Sequence, residues 1–190
     1  VQTNKVVGGL WSNDPDGNAI GDKDRGFPAA IKKEGYTLVD AGLYPIMSDD
    51  FSKQIAMFKA QNVEIVTGVF VPPAFATFWS QAAQQGFRPK VASIIKALLF
   101  PSAVEALGER GAQMSTEVWW SPSHPFKSGL TGETAGQLAA AYVKASNRQW
   151  TQPMGFKHAG FEVVCDVLRR TKNVNDPKSI RDAIRTTNYQ

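Results

Sequence analysis

Only one cysteine, Cys165, occurs in the 190 residues, so no disulfide forms within the chain and thiol usage leaves the redox compartment open. Cys165 ends the apolar run Phe161-Glu162-Val163-Val164-Cys165, where a buried, inert thiol is expected. No apolar stretch reaches the ~18 residues that a bilayer-spanning helix needs. Like charges never gather into a run of about five or six, which argues against a nucleic-acid-binding arm. The 21 basic and 17 acidic residues are spread along the chain, and the net charge of +4 points only weakly to an anionic ligand or surface. No Gly-x-Gly-x-x-Gly fingerprint, phosphate-binding loop, Ser-His-Asp or Cys-His arrangement or catalytic carboxylate pair stands out, so neither a dinucleotide site nor an enzyme is expected. His158 has no second His, Cys or nearby acidic cluster, so no metal is expected. No cofactor is expected either.

What is present is a globular composition, 43% hydrophobic and 20% charged. It is organised around strands that run into turns and helix caps. Residues 5–11 read as a buried strand followed by Ser12-Asn13-Asp14-Pro15-Asp16-Gly17. Residues 63–70 run into Val71-Pro72-Pro73, and 91–95 into Lys96-Ala97-Leu98-Leu99-Phe100-Pro101. Each places function-capable residues at the carboxyl end of a strand, the edge where open α/β sheets bind ligands. A further strand is expected at 36–40 and an extended segment at 112–120. Between them the pattern predicts a helix over about 18–34, capped by Asp16 or Asn18 and ended by Gly35. Another follows Ser48-Asp49-Asp50 with Phe51, Ile55 and Phe58 on one face. A third runs from Pro72-Pro73 to Gly86, and a short one covers 101–107. Strands alternating with helices predict an α/β fold: a three-layer α/β/α lobe with a mostly parallel sheet.

The connector Ser121-Pro122-Ser123-His124-Pro125 then marks a shift in composition. Beyond it only helices are expected, at about 132–146, 155–172 and 176–187. Their apolar stripes (Leu138, Ala141, Tyr142; Phe161, Val164, Leu168) have no strands of their own to cover. They either pack on the first part or belong to a sheet outside this sequence.

Three stretches carry a more specific pattern. One is Gly35-Tyr36-Thr37-Leu38-Val39-Asp40 with the following Ser48-Asp49-Asp50-Phe51-Ser52-Lys53-Gln54-Ile55. The second is residues 68–87, Gly-Val-Phe-Val-Pro-Pro-Ala-Phe-Ala-Thr-Phe-Trp-Ser-Gln-Ala-Ala-Gln-Gln-Gly-Phe. The third is Trp119-Trp120-Ser121-Pro122. Together they resemble the substrate-binding proteins of branched-chain-amino-acid-type ABC transporters, along essentially the whole chain. The resemblance implies two α/β lobes of the type I periplasmic-binding-protein kind, with a ligand held between them and trapped by hinge closure. It implies that residues 1–120 form lobe two and that 121–190 are a helical return into lobe one. Members are considerably longer, and this chain opens at Val1 without Met, so a processed or truncated piece is expected, with the signal peptide and much of lobe one outside it. The implied function is capture of a small carboxylate or an aromatic or branched amino-acid-like ligand and its delivery to a membrane permease. The implied location is periplasmic, or extracellular with a lipid anchor. Uncovered helices in such a piece are expected to recruit a second copy as a dimer or swapped assembly. The alternatives are a ligand-sensing regulatory domain of the same fold and, with less support, a Rossmann-like enzyme.

The candidate ligand-binding residues are Asp16, Phe70, Val71, Lys96, Trp120, Phe156 and His158. Asp16 either contacts ligand at the strand edge or belongs to a solvated turn. Phe70 and Val71 end a strand, where the resemblance implies an aromatic cleft wall and the residues themselves allow a core Phe. Lys96 interrupts the apolar run Ile94-Ile95-Lys96-Ala97-Leu98 with no acid beside it in sequence. It needs a partner or a route to water, and a free ammonium there suits an anion. By resemblance, amino-acid binders place a carboxylate in this loop. Trp119 and Trp120 face opposite ways if extended, and Trp120 is favoured for the cleft. Phe156 and His158 open a helix that the resemblance places at the lobe-one rim, and an ordinary helix-start histidine is the alternative. His124 reads as connector.

Overall fold

The computed structural model describes residues 1–112 and 114–189. The chain divides into two compact units, Val1–Glu117 and Val118–Gln190.

The first unit is built on one sheet ordered β2-β1-β3-β4-β5. Its strands are β1 (Val6–Ser12), β2 (Thr37–Tyr44), β3 (Ile65–Val69), β4 (Val91–Ile95) and β5 (Met114–Ser115), and every pairing is parallel. Val7 pairs with Leu38 on one side and Ile65 on the other, and Val69 pairs with Ile95. Alternation sends Leu10, Val66 and Ile94 to one face, against Ile55 and Phe58 of α3 (Ser52–Ala60) and Phe75, Phe78 and Ala82 of α4 (Pro72–Gln84). It sends Trp11, Val69 and Ile95 to the other face, against Ile20 of α1 (Pro15–Ile20). Both faces are therefore apolar, which is why residues 63–70 and 91–95 read as nearly continuous hydrophobic runs. The chain passes from β1 to β2 on one side and then to β3 on the other. The reversal lies between β1 and β3, the position at which such sheets bind ligands.

Local chemistry sets the helix ends. The helix expected over 18–34 is instead two, α1 and α2 (Phe27–Lys33). Pro28 has no N–H to donate and clashes with the preceding turn of a continuous helix. Gly26 also sits so close to the chain that a Cβ would lie 2.1 Å from the Ile20 carbonyl oxygen. The cap is Asp14, whose carboxylate accepts from the Gly17 N–H at 2.8 Å, rather than Asp16 or Asn18. Gly35 and Gly86, at φ +76° and +69°, follow α2 and α4 as expected. β2 extends beyond residue 40 to Tyr44. The extended segment expected at 112–120 supplies only Met114–Ser115 to the sheet, and Gln113 lies outside the described residues. The short helix is α5 (Pro101–Glu105), followed by a 3-10 turn at Gly108–Gly111.

The second unit holds α6 (Ala135–Ser146), α7 (Gln152–Arg170) and α8 (Pro177–Arg185). Thr134 and Gln137 form a reciprocal capping box on α6, and Asp176 caps α8. Trp120, Ala135 and Ala139 form its buried centre, with Leu138, Trp150 and Met154 packed around them. Gly155 admits the Trp120 indole, since a Cβ there would lie 2.0 Å from it. On α7 two residues run against hydrophobicity: Glu162 is buried, as is Val167, while Phe161 is 71% exposed. Cys165 is exposed rather than buried. The physical reason is the helix face in use, because Gly155 and Glu162 turn toward Trp120 and the 124–135 loop. No described helix is long and apolar enough to cross a membrane.

Candidate functional site

The strand edge of the first unit brings Asp14, Asp16, Lys96 and Glu117 together. Lys96 follows β4 in the left-handed region, at φ +73°, unusual for a residue with a side chain. Its N–H donates to the Glu117 carboxylate at 2.8 Å. Its Nζ donates to Asp14 at 2.9 Å and to Asp16 at 2.8 Å. Asp14 keeps only 8% of its side chain exposed, and Lys96 keeps 27%. Burial works to raise the Asp14 pKa, but the Gly17 N–H, Lys96 and Ser12 outweigh it and hold the carboxyl below its usual range. Burial likewise works against the Lys96 charge, and its bonds to Asp16 and Asp14 overcome that and raise its pKa. The expectation that Lys96 has no acid nearby is thus corrected. The acids come from the turn after β1, where Asp14 and Asp16 hold the ammonium, and from Glu117, which holds the backbone N–H. No unpaired cation is left there to hold an anion.

Phe70 is fully buried, with its ring 5.3 Å from Phe78, 5.4 Å from Phe75 and 5.5 Å from Tyr44. It is a core residue of this unit rather than a wall. Val71 caps α4 and is half-buried, its N–H donating to the Tyr44 hydroxyl at 3.2 Å. Burial pushes the Tyr44 phenol up to about 12, with Asp14 adding to the rise and the Val71 N–H opposing it.

The second unit encloses a cavity of about 280 Å³. Trp119 and Phe156 form one wall, edge to face at 5.3 Å, and His124 and Phe126 pair similarly at 5.9 Å. Glu162 also borders it, with 11% of its side chain exposed. Its carboxylate accepts from the Ser128 hydroxyl and, at 3.2 Å, from the Tyr189 hydroxyl. His158 Nδ1 lies 3.9 Å away, one helical turn earlier. Phe156 and His158 therefore do line one cavity with Trp120. Both tryptophans border this cavity, Trp120 the more packed at 9% exposure and Trp119 at 40%. The Trp120 indole packs beside Gly155 and edge to face on Trp150 at 5.7 Å.

Sequence reasoning missed Asp14, Glu117, His124 and Glu162. Glu162 left a signal, a charge inside an apolar run and one turn beyond His158. Asp14 and Glu117 left none, because their partner lies 82 and 21 positions away. A larger hollow of about 480 Å³ in the first unit is lined by Val7, Ile65 and Val91, at the amino ends of the strands, away from the ligand-binding edge. Among the described residues no group of three or more His, Cys, Asp or Glu side chains is placed to hold a metal.

Comparison with known proteins connects this geometry to relatives. Residues 10–190 match a family model described as periplasmic binding protein. A leucine-binding protein from Thermotoga maritima superposes with a TM-score of 0.76 at 18% identity, over 96% of this chain and 49% of its own. A type 1 periplasmic binding protein from Bordetella pertussis gives 0.76 at 19% identity, over 98% and 51%. A fatty acid ABC transporter substrate-binding protein from Thermomonospora curvata gives 0.71 at 15% identity, over 98% and 46%. The chain thus spans about half the length of these structures. No curated protein matches it.

Proposed function

The chain belongs to the periplasmic binding protein family, with the type I fold, and from that premise we propose that it works in the solute-receiving component of an ABC importer. In this reading the protein resides in the periplasm, captures a small solute and hands it to a membrane permease. The first unit serves as one lobe and the second contributes to the other, a boundary three residues earlier than the expected 120/121. Contacts with both shift an open–closed equilibrium toward the closed form. It acts by binding, with no chemical step.

The observation that carries the reading is the aromatic cavity of the second unit, in a chain matched to this family over residues 10–190. Its Trp119, Phe156 and Glu162 supply an apolar wall and a polar anchor, the usual make-up of a small-molecule site. In the first unit Asp16, with 59% of its side chain exposed, is the residue proposed to meet solute, and Lys96 holds it in place. Because Lys96 is already bonded to two carboxylates, an amino-acid-like solute fits better than a simple anion. Calorimetric titration of the full-length protein with branched-chain and aromatic amino acids and with short carboxylates tests this. Saturable binding of one of these is expected. Binding of none of them, or turnover of any, overturns it.

A further inference from the structure

We infer that the cavity of the second unit recognises an organic ammonium group, with Glu162 as its counter-ion and Trp119 and Phe156 as its aromatic wall; this rests on reading that cavity as a solute site. Glu162 is a carboxylate with 11% of its side chain exposed, and both hydrogen bonds it receives come from neutral hydroxyls, those of Ser128 and Tyr189. No Lys or Arg among the described residues ion-pairs with it, and His158 at 3.9 Å is charged only when protonated. Lys127 and Glu133, which also border the cavity, offset one another in charge. A buried carboxylate without a cation is unfavourable. It retains acceptor capacity, since a carboxylate offers about four lone-pair sites and two are used.

The first unit shows the contrast. There the nearly buried Asp14 already has Lys96 as its cation. Glu162 is a nearly buried carboxylate with no Lys or Arg partner among the described residues, and a solute cation would supply one. The wall beside it suits such a cation: aromatic faces attract ammonium groups and Trp does so best, and the Phe156 ring already has the Lys157 Nζ 5.1 Å from its centroid, which leaves Trp119 as the main face for a solute cation. The cavity's volume of about 280 Å³ limits the occupant to a small molecule.

The test titrates the chain with benzylammonium chloride, neutral benzyl alcohol and sodium benzoate, followed by tryptophan fluorescence and calorimetry. Benzylammonium is expected to bind at least about tenfold more tightly than either of the others, the scale of a charge-assisted hydrogen bond with a cation–π contact. Glu162→Gln is expected to erase that preference, with circular dichroism checking that the variant folds. Trp119→Ala, at a half-exposed position, is expected to weaken benzylammonium several-fold and to decide the matter if the Glu162 variant unfolds. Benzoate binding as tightly as benzylammonium, or a preference that survives Glu162→Gln, overturns the ammonium assignment while leaving a solute cavity. Binding of none of the three overturns both.

Discussion

Replacing Lys96 separates two opposing effects at the strand edge. Lys96→Ala removes the ammonium shared by Asp14 and Asp16. Stripping the partner from a fully buried ion pair costs about 3–5 kcal/mol, whereas an exposed pair such as that with Asp16 is worth about 0–1 kcal/mol. Lys96 is 27% exposed and Asp14 keeps the Gly17 N–H, so the expected loss is intermediate, about 2–3 kcal/mol. Lys96→Gly loses the same charge but relieves the left-handed backbone at φ +73°. That relief is worth about 1 kcal/mol. Urea denaturation at pH 7, followed by far-ultraviolet circular dichroism, is therefore expected to rank wild type above Lys96→Gly and Lys96→Gly above Lys96→Ala. A loss below about 0.5 kcal/mol for Lys96→Ala, or an inverted Ala–Gly order, refutes the reasoning.

Other consequences follow from the same contacts. Asp14 is held below its ordinary 3.8, so its contribution is complete above that value and lost as pH falls through the lower folded one; Asp14→Asn is expected to flatten this acid limb in urea midpoints measured against pH. Tyr44 and Lys96 are raised, so their contributions are complete below 10.0 and 10.5 and are lost as pH rises, for Tyr44 through about 12; Tyr44→Phe is expected to shallow the alkaline limb. Phe70→Ala is expected to cost about 3–5 kcal/mol in urea denaturation, while Phe70→Leu leaves solute titrations of the full-length protein unchanged, as suits a core ring. Gly155→Ala drives a methyl group into the Trp120 indole and is expected to cost about 1–3 kcal/mol and to alter the near-ultraviolet tryptophan dichroism.

Sheet and helix order were legible because both faces of β1, β3 and β4 are apolar and because Pro72 and Pro101 mark helix starts, whereas α7 begins at Gln152, three residues before the expected 155. The break between α1 and α2 was also written in the chain, in Pro28, but the apolar spacing across it masked the break. The site was legible only where its chemistry is local. Phe156 and His158 share a helix start, and Lys96 stood out as a charge among apolar residues. Its partners did not, since a parallel sheet joins strand ends that are far apart in sequence. Phe70 and Trp120 were not decided by the sequence, because an aromatic at a strand end looks the same whether it turns to a core or a cleft. Burial decides between them, and it depends on neighbours such as Phe78 and Gly155.

The most direct test of the account follows the indole N–H resonances of the five tryptophans in the full-length protein as its tightest-binding amino-acid-like solute is added. Trp119 and Trp120 border the cavity, whereas the Trp79 indole donates to the Arg110 carbonyl at 2.9 Å in the first unit. The account predicts saturable shifts at Trp119 and Trp120 with Trp79 unmoved. Unchanged Trp119 and Trp120 resonances at saturating solute would contradict it.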